Sequence, residues 1–281
     1  MGLLTITKLS ESVGAEVGGL DPQHLEAEDT VAAAILDALE DNGVLVFRGL
    51  HLEPEAQVAF CRHLGEIDHS SDGHHPVAGI YPITLDKSKN SSADYLKATF
   101  DWHIDGCTPT GNEYPQKATA LTAVQVAESG GETEFANSYA AYDALTDEEK
   151  DRFATLRVVH SLEASQRRVT PDPTPEVLAR WRSRRTHEHP LVWTHGSGRK
   201  SLVLGASADY VVGMDLEQGR ALLDELLQRA TVPDRVYSHS WSVGDMVIWD
   251  NRGVLHRAAP YDANSAREML RTTVLGDEPI Q

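Results

Sequence analysis

The feature that most constrains how this chain can fold is a His-x-Asp pair, His103 and Asp105, whose partner His256 stands far downstream behind Trp249-Asp250-Asn251-Arg252. Two imidazoles and one carboxylate form a donor set for a single metal ion, and they meet only if a long stretch of chain closes on itself. Alternate side chains of a β-strand share a face. The spacing therefore predicts that positions 103 and 105 grip one ion from the same side of a strand, with a second strand supplying the third ligand. Two His and a carboxylate fill three corners of an octahedron and leave three open, which suits Fe(II), a bidentate cosubstrate and O2 better than the closed tetrahedron of structural zinc. A bare His-x-Asp is a weak signal among 13 His and 43 acidic residues. Its setting sharpens it: Trp102 and Gly106 flank the pair, and Gly244 to Arg252 reads as a turn, an apolar strand and a polar exit.

The rest of the chain predicts a mainly β domain with flanking α-helices. Val31, Ala34, Ile35, Ala38 and Leu39 recur at helical spacing over 28–41, and 54–64 repeats the pattern behind Pro54, a residue suited to open a helix. Further helices are expected over 139–155 and 215–229. Segments 43–47, 118–126, 200–204, 235–241, 245–249 and 269–275 are short, β-branched-rich and bounded by turn residues, as strands are. No linker or repeat divides the 281 residues, so one domain over 1–281 is expected. The polar stretch 68–101, with His69, His74, His75 and several Ser, leads into the metal pair and is expected to be an active-site lid. A second mobile stretch is expected over Arg167 to His189, its arginines solvated or paired with acidic neighbours.

Charge narrows the partners. A formal net charge of -18 argues against nucleic acid, whose binding rests on Lys and Arg meeting phosphates, and favours a small molecule. No apolar run is long enough for a membrane span, no leader pattern opens the chain, and Cys61 and Cys107 are too few for a disulfide framework, so a cytoplasmic location is expected. Cys107 is read as a packing residue, with a place lining the pocket as the alternative.

Trp102-His103-Ile104-Asp105, Gly130-Gly131-Glu132-Thr133, Ala140 to Leu145, Trp249-Asp250-Asn251-Arg252 with His256, and Arg267 with Arg271 together resemble the taurine dioxygenase and 2,4-dichlorophenoxyacetate dioxygenase family of Fe(II)/2-oxoglutarate-dependent oxygenases. The opening segments Gly14 to Asp21 and Gly43 to Gly49 extend the likeness over nearly the whole chain, and Gly196-Ser197-Gly198-Arg199-Lys200 is similar to the aryloxyalkanoate-degrading branch. The resemblance implies a double-stranded β-helix, or jelly roll, holding Fe(II) on His103, Asp105 and His256. It implies 2-oxoglutarate as cosubstrate and O2 as oxidant, with hydroxylation of a small anionic organic substrate such as a sulfonate, an aryloxyalkanoate or a similar carboxylate. It also implies a homo-oligomer, dimer or tetramer.

An iron-chelating diacid needs its far carboxylate held at a fixed distance, which a guanidinium does through paired charge-assisted hydrogen bonds. The resemblance assigns that task to Arg267, with the Thr133 hydroxyl beside it, and assigns the substrate's acidic group to Arg271, with His75 as a second contact. On a regular strand 267, 269 and 271 share a face, so both arginines are expected to reach one cavity. Asp250-Asn251-Arg252 is read as support for the ligands or as turn structure. Asp105 itself argues against a halogenase, where that carboxylate would make room for halide. Two rivals remain: a zinc hydrolase on the same ligands, which leaves Thr133 and Arg267 without a task, and a jelly-roll binding protein without catalysis.

Overall fold

The computed structural model describes residues 4–20, 29–69, 75–109 and 114–281. Its strands in chain order are β1 Thr5–Lys8, β2 Ala15–Gly18, β3 Val44–Phe47, β4 Tyr81–Ile83, β5 Gln116–Gln125, β6 Thr133–Asn137, β7 Arg157–His160 and β8 His187–Pro190. They continue with β9 Val192–Thr194, β10 Lys200–Leu202, β11 Ala208–Val211, β12 Val236–His239, β13 Met246–Asp250, β14 Val254–Ala258 and β15 Glu268–Leu275. The α-helices are α1 Asp29–Asn42, α2 Pro54–Arg62, α3 Ala93–Leu96, α4 Ser138–Asp143, α5 Asp147–Phe153, α6 Leu162–Arg167, α7 Pro175–Arg182 and α8 Leu216–Ala230.

A seven-stranded sheet in the order β1-β2-β3-β13-β5-β15-β4 faces a three-stranded sheet in the order β12-β6-β14. This is the jelly roll, with every pairing in the two sheets antiparallel except β2 with β3. Period-2 alternation sorts the side chains of the larger sheet onto its two faces. Val44, Val46, Leu121, Ala123, Val247, Trp249 and Met269 point inward and meet Phe135 and Val254 of the smaller sheet. Leu45, Phe47, Ala118, Ala120, Met246, Ile248, Leu270 and Val274 point outward and pack under Ile35, Leu39, Val58 and Phe60 of α1 and α2. Both faces are buried, so these strands read as continuous apolar runs in the sequence. Gln57 of α2 locks that layer by donating to the Leu270 carbonyl and to Thr272 Oγ1, each at 3.0 Å. A third cluster covers the far side of the smaller sheet with Leu223 and Leu226 of α8, Trp193 of β9 and Leu202 of β10.

Two expectations change, the helix over 139–155 and the stretch Arg167 to His189. The single helix over 139–155 is two, α4 and α5, because Thr146 caps a new start: its hydroxyl accepts from the Glu149 N–H at 3.2 Å while the Glu149 carboxylate accepts from the Thr146 N–H at 2.9 Å. Arg167 to His189 is not a loop but the end of α6, helix α7 and most of β8, with Arg182 bonded to Glu163 at 2.7 Å. In 68–101, residues 70–74 lie outside the described residues; the remainder contains β4, which pairs with β15, followed by α3 and a 3-10 turn. Cys107 lies in the apolar cluster of Trp102, Ile104 and Leu191, where burial pushes its thiol pKa up to about 12, so it packs rather than reacts.

Two histidines away from the metal pair make the fold acid-sensitive. Burial, with His189 and His187 adding to it, pushes His160 down to about 3, and burial together with Arg48 pushes His239 down to about 4. Both stay neutral in the folded chain while the unfolded chain takes up protons below the ordinary His pKa of about 6.5. Their contribution is therefore whole above about 6.5 and falls with pH toward the folded values, by about 2 kcal/mol per residue at pH 5. Urea unfolding of the metal-free protein at pH 7.5 and pH 5 should show a clear drop in stability, and His160→Phe should flatten it. Equal stability at the two pH values would refute this account.

Candidate active site

His103 and His256 sit face to face across an isolated antiparallel bridge, each backbone N–H donating to the other's carbonyl, at 3.0 and 2.9 Å. The expected strand through 103 and 105 is absent. Only His103 makes the bridge, and Asp105 lies in a turn closed by Gly106 at φ +87, where a Cβ would come within 2.6 Å of the Gln116 nitrogen. The turn, not strand alternation, swings the carboxylate back to the imidazoles. The three ligand atoms lie within 4.8 Å of one another, with Asp105 oxygens 3.8 Å from His103 Nε2 and 3.7 Å from His256 Nε2.

The surroundings prepare these groups for a cation. His103 Nδ1 is 2.9 Å from the Asp101 carbonyl, which can only accept, so that nitrogen carries the proton and Nε2 keeps its lone pair. His256 lies between Phe135 and Trp249, with ring centroids 6.5 and 4.8 Å away. Burial, reinforced by His103, pushes its pKa down to about 3, so it is neutral and able to bind metal. Burial alone would raise the Asp105 carboxyl; the charges of His256, Arg271 and His103 and the Thr119 hydroxyl outweigh it and hold the group below its usual range. With His256 neutral near pH 7, Arg271 at 3.9 Å and Thr119 at 3.3 Å are the partners that remain on Asp105. Thr119 in turn accepts from Asn251 Nδ2 at 2.8 Å, so the middle residue of the Asp250-Asn251-Arg252 triplet supports Asp105 through Thr119. Asp250 and Arg252 bond to each other and reach out to Tyr139 and Glu40, a structural role. Two imidazoles and one ionised carboxylate brought within 4.8 Å of one another fit a divalent iron.

Arg267 and Thr133 lie together at the other end of the smaller sheet. Thr133 and Phe135 share a face of β6 and pair with Ala258 and His256, which places Thr133 one same-face step, about 7 Å, from the His256 level. Arg267 lies just outside β15, and a register shift follows Glu268, so the alternation argument linking 267 to 271 fails in detail. What places Arg267 is contact: it donates to the Gly131 carbonyl at 3.0 Å and lies over the Tyr261 ring at 4.8 Å. The turn is glycine by necessity, since Gly131 has φ +78 and a Cβ there would meet Arg267 at 2.9 Å. Arg267 is only 3% exposed, burial lowers its pKa, and among the described residues no carboxylate forms an ion pair with it. A buried guanidinium without an anion is costly, so this pocket calls for one.

Arg271 points inward opposite Tyr81. His75 is engaged locally, its Nδ1 accepting from the Val77 N–H at 3.0 Å, and among the described residues it has neither hydrogen bond nor ion pair to the metal cluster. Thr119, Trp241, Tyr261 and Tyr81 escaped sequence reasoning. Trp241 Nε1 donates to Thr133 Oγ1 at 3.0 Å, which occupies an oxygen lone pair and leaves the hydroxyl proton free to donate elsewhere.

The jelly roll and this three-residue centre define the class, a mononuclear metal oxygenase, and the comparisons supply the family. The model of the taurine catabolism dioxygenase TauD, TfdA family matches residues 5–273, and the chain belongs to that family. The alpha-ketoglutarate-dependent 2,4-dichlorophenoxyacetate dioxygenase of Cupriavidus pinatubonensis is 38% identical over 256 residues, covering 86% of this chain and 88% of the relative. The alpha-ketoglutarate-dependent sulfate ester dioxygenase of Pseudomonas putida is 31% identical over 289 residues, covering 99% and 91%. The crystal structure of AAD-2 in complex with Mn(II) and N-oxalylglycine superposes with a TM-score of 0.83 at 31% identity, covering 99% of each chain. The chain is thus an alpha-ketoglutarate-dependent dioxygenase that uses Fe(II), 2-oxoglutarate and O2. No helix among the described residues is long and apolar enough to cross a membrane.

Proposed function

We propose that this enzyme hydroxylates the carbon beside the ether oxygen of a small aryloxyalkanoate. Fe(II) is held by His103, Asp105 and His256, 2-oxoglutarate by Arg267 and Thr133, and the substrate carboxylate by Arg271. The observation that carries the reading is Arg271: an inward guanidinium beside the metal cluster whose Nε is buried without a partner among the described residues, and whose nearest carboxylate among them, on Asp105, is 3.9 Å away. It has donors to spare for an anion. The choice of aryloxyalkanoates rests on the relatives named for 2,4-dichlorophenoxyacetate and phenoxypropionate, at 30 to 38% identity.

Iron with 2-oxoglutarate and O2 supplies the oxidation, one oxygen atom entering succinate as CO2 leaves and the other entering the substrate C–H bond. The protein supplies geometry. Arg267 fixes the far carboxylate of the cosubstrate, Thr133 adds a hydroxyl donor, and Arg271 decides which substrate carbon faces the metal. For ArO–CH2–COO− the hydroxylated product is a hemiacetal. It collapses by passing its hydroxyl proton to the ether oxygen, giving ArOH and OHC–COO−. A substrate contact from His75 would use Nε2, since Nδ1 is taken. The segment 68–101 is the proposed lid, with β4 as its fixed root.

The test is a screen of phenoxyacetates, alkyl sulfates and sulfonates for substrate-stimulated succinate formation, repeated with Arg271→Leu. Phenoxyacetate should stimulate most. Arg271→Leu should lower that stimulation about 30- to several-thousand-fold, the cost of leaving an anion unpaired in a desolvated site, while 2-oxoglutarate still binds. Strongest stimulation by a sulfonate would move the substrate class to the sulfur branch. If the variant instead loses 2-oxoglutarate, the two arginines are assigned the wrong way round.

A further inference from the structure

Arg271 does not stand alone. It is the direct register partner of Tyr81 across β15 and β4, and its guanidinium carbon lies 5.0 Å from the centre of the Tyr81 ring. Both side chains share the inward face, because Met269 and Ile83, the next partners on that face, pack in the inner cluster. At its far end the ring is tied down: the Tyr81 hydroxyl donates to Asn90 Oδ1 at 3.0 Å. Asn90 is wholly buried and its amide is fixed in turn, Nδ2 donating to the Pro82 carbonyl at 2.9 Å and Oδ1 accepting from the Ser92 N–H at 2.8 Å.

This arrangement directs the guanidinium without consuming its donors. A carboxylate partner would occupy two N–H groups, whereas an aromatic face attracts the cation through its π-system and leaves the in-plane N–H groups for an incoming anion. Among the described residues, the carboxylate beside Arg271 is that of Asp105, beyond hydrogen-bond distance at 3.9 Å. We propose that Tyr81 is a positioning residue for substrate recognition: its ring, held by Asn90, sets the angle at which Arg271 presents its donors and so which carbon reaches the metal. The inference rests on Arg271 being the substrate's anion partner.

The experiment compares Tyr81→Leu, Tyr81→Phe and Arg271→Leu in the full chain loaded with Fe(II), with phenoxyacetate as probe. The readouts are KM for phenoxyacetate, product formed per 2-oxoglutarate consumed, and the 2-oxoglutarate Kd from the visible charge-transfer band under anaerobic conditions. Tyr81→Leu should raise KM about 3- to 30-fold, the range a cation–π contact spans, and lower the product ratio, with the 2-oxoglutarate Kd unmoved. Tyr81→Phe keeps the ring but loses its bond to Asn90, and should recover only part of both losses. Parallel changes in KM and 2-oxoglutarate Kd in Tyr81→Leu would mean a general structural role and overturn the proposal, as would wild-type behaviour of that variant. If Arg271→Leu is impaired while Tyr81→Leu is not, only the role of Tyr81 falls; if Arg271→Leu turns over phenoxyacetate normally, the reading of Arg271 falls and Tyr81 with it.

Discussion

His103→Ala and His256→Ala should each lose turnover altogether while keeping the fold, and neither should develop the charge-transfer band that Fe(II) and 2-oxoglutarate give together. The magnitude follows from what remains. With one imidazole gone, a single nitrogen and Asp105 are left to hold the ion, and Arg271, at 3.9 Å, competes for that carboxylate. Removal of a supporting partner costs about 10- to 100-fold in metal affinity or activity, so removal of a ligand should cost far more. Thr119→Val supplies the comparison: it deletes the hydroxyl that bonds Asp105 at 3.3 Å and should fall in that milder range. His103→Ala is the cleaner of the two ligand variants, because its side chain retains 16% exposure, whereas His256 is packed between Phe135 and Trp249 and its loss opens a cavity. Circular dichroism and iron analysis on the same samples separate loss of metal from loss of fold. Full activity in folded His103→Ala would remove it from the metal site.

The convergence of His103, Asp105 and His256 was legible in the sequence for a reason different from the one that spacing suggested. His103 and Asp105 do converge, but through a glycine turn at Gly106 rather than along a strand, and a bare His-x-Asp cannot distinguish the two. Strands buried on both faces, such as Met246–Asp250, announce themselves as apolar runs, and α8 announces itself by its period. The break between α4 and α5 was readable in principle from Thr146 and Glu149, a capping pair inside an otherwise helical stretch. What the sequence hid were partners whose proximity depends on register. Nothing local links Tyr81 to Arg271, Trp241 to Thr133, or Asn251 to Thr119; antiparallel pairing and loop closure across the two sheets bring them together. The supporting polar groups are therefore a tertiary property, whereas the ligands carry their identity in their chemistry.

Arg267→Ala should raise the 2-oxoglutarate requirement steeply, by about 30- to several-thousand-fold, corresponding to the roughly 2–5 kcal/mol lost when one partner of a desolvated charge pair is removed. The structure gives this residue an unusual position: it is 3% exposed, bonded to the Gly131 carbonyl and to Tyr261, over whose ring it lies, and without an ion-pairing carboxylate among the described residues. Such a cation is costly to bury unless an anion completes it, and the anion proposed here is the far carboxylate of 2-oxoglutarate. Thr133→Val should cost less, because it removes one neutral donor and leaves the charge in place. Arg267→Lys restores the charge but not the paired donor geometry and should recover only part of the affinity. Titrating 2-oxoglutarate against the charge-transfer band under anaerobic conditions measures each Kd apart from turnover. Removing the buried charge should also make Arg267→Ala no less stable than the wild-type protein when 2-oxoglutarate is absent, and less stable than it when saturating 2-oxoglutarate is present, since a ligand that binds only the folded state adds stability that grows with the logarithm of its concentration over Kd. A variant that binds 2-oxoglutarate as tightly as the wild type would place the anchor on another residue and leave the buried guanidinium with no anion to hold.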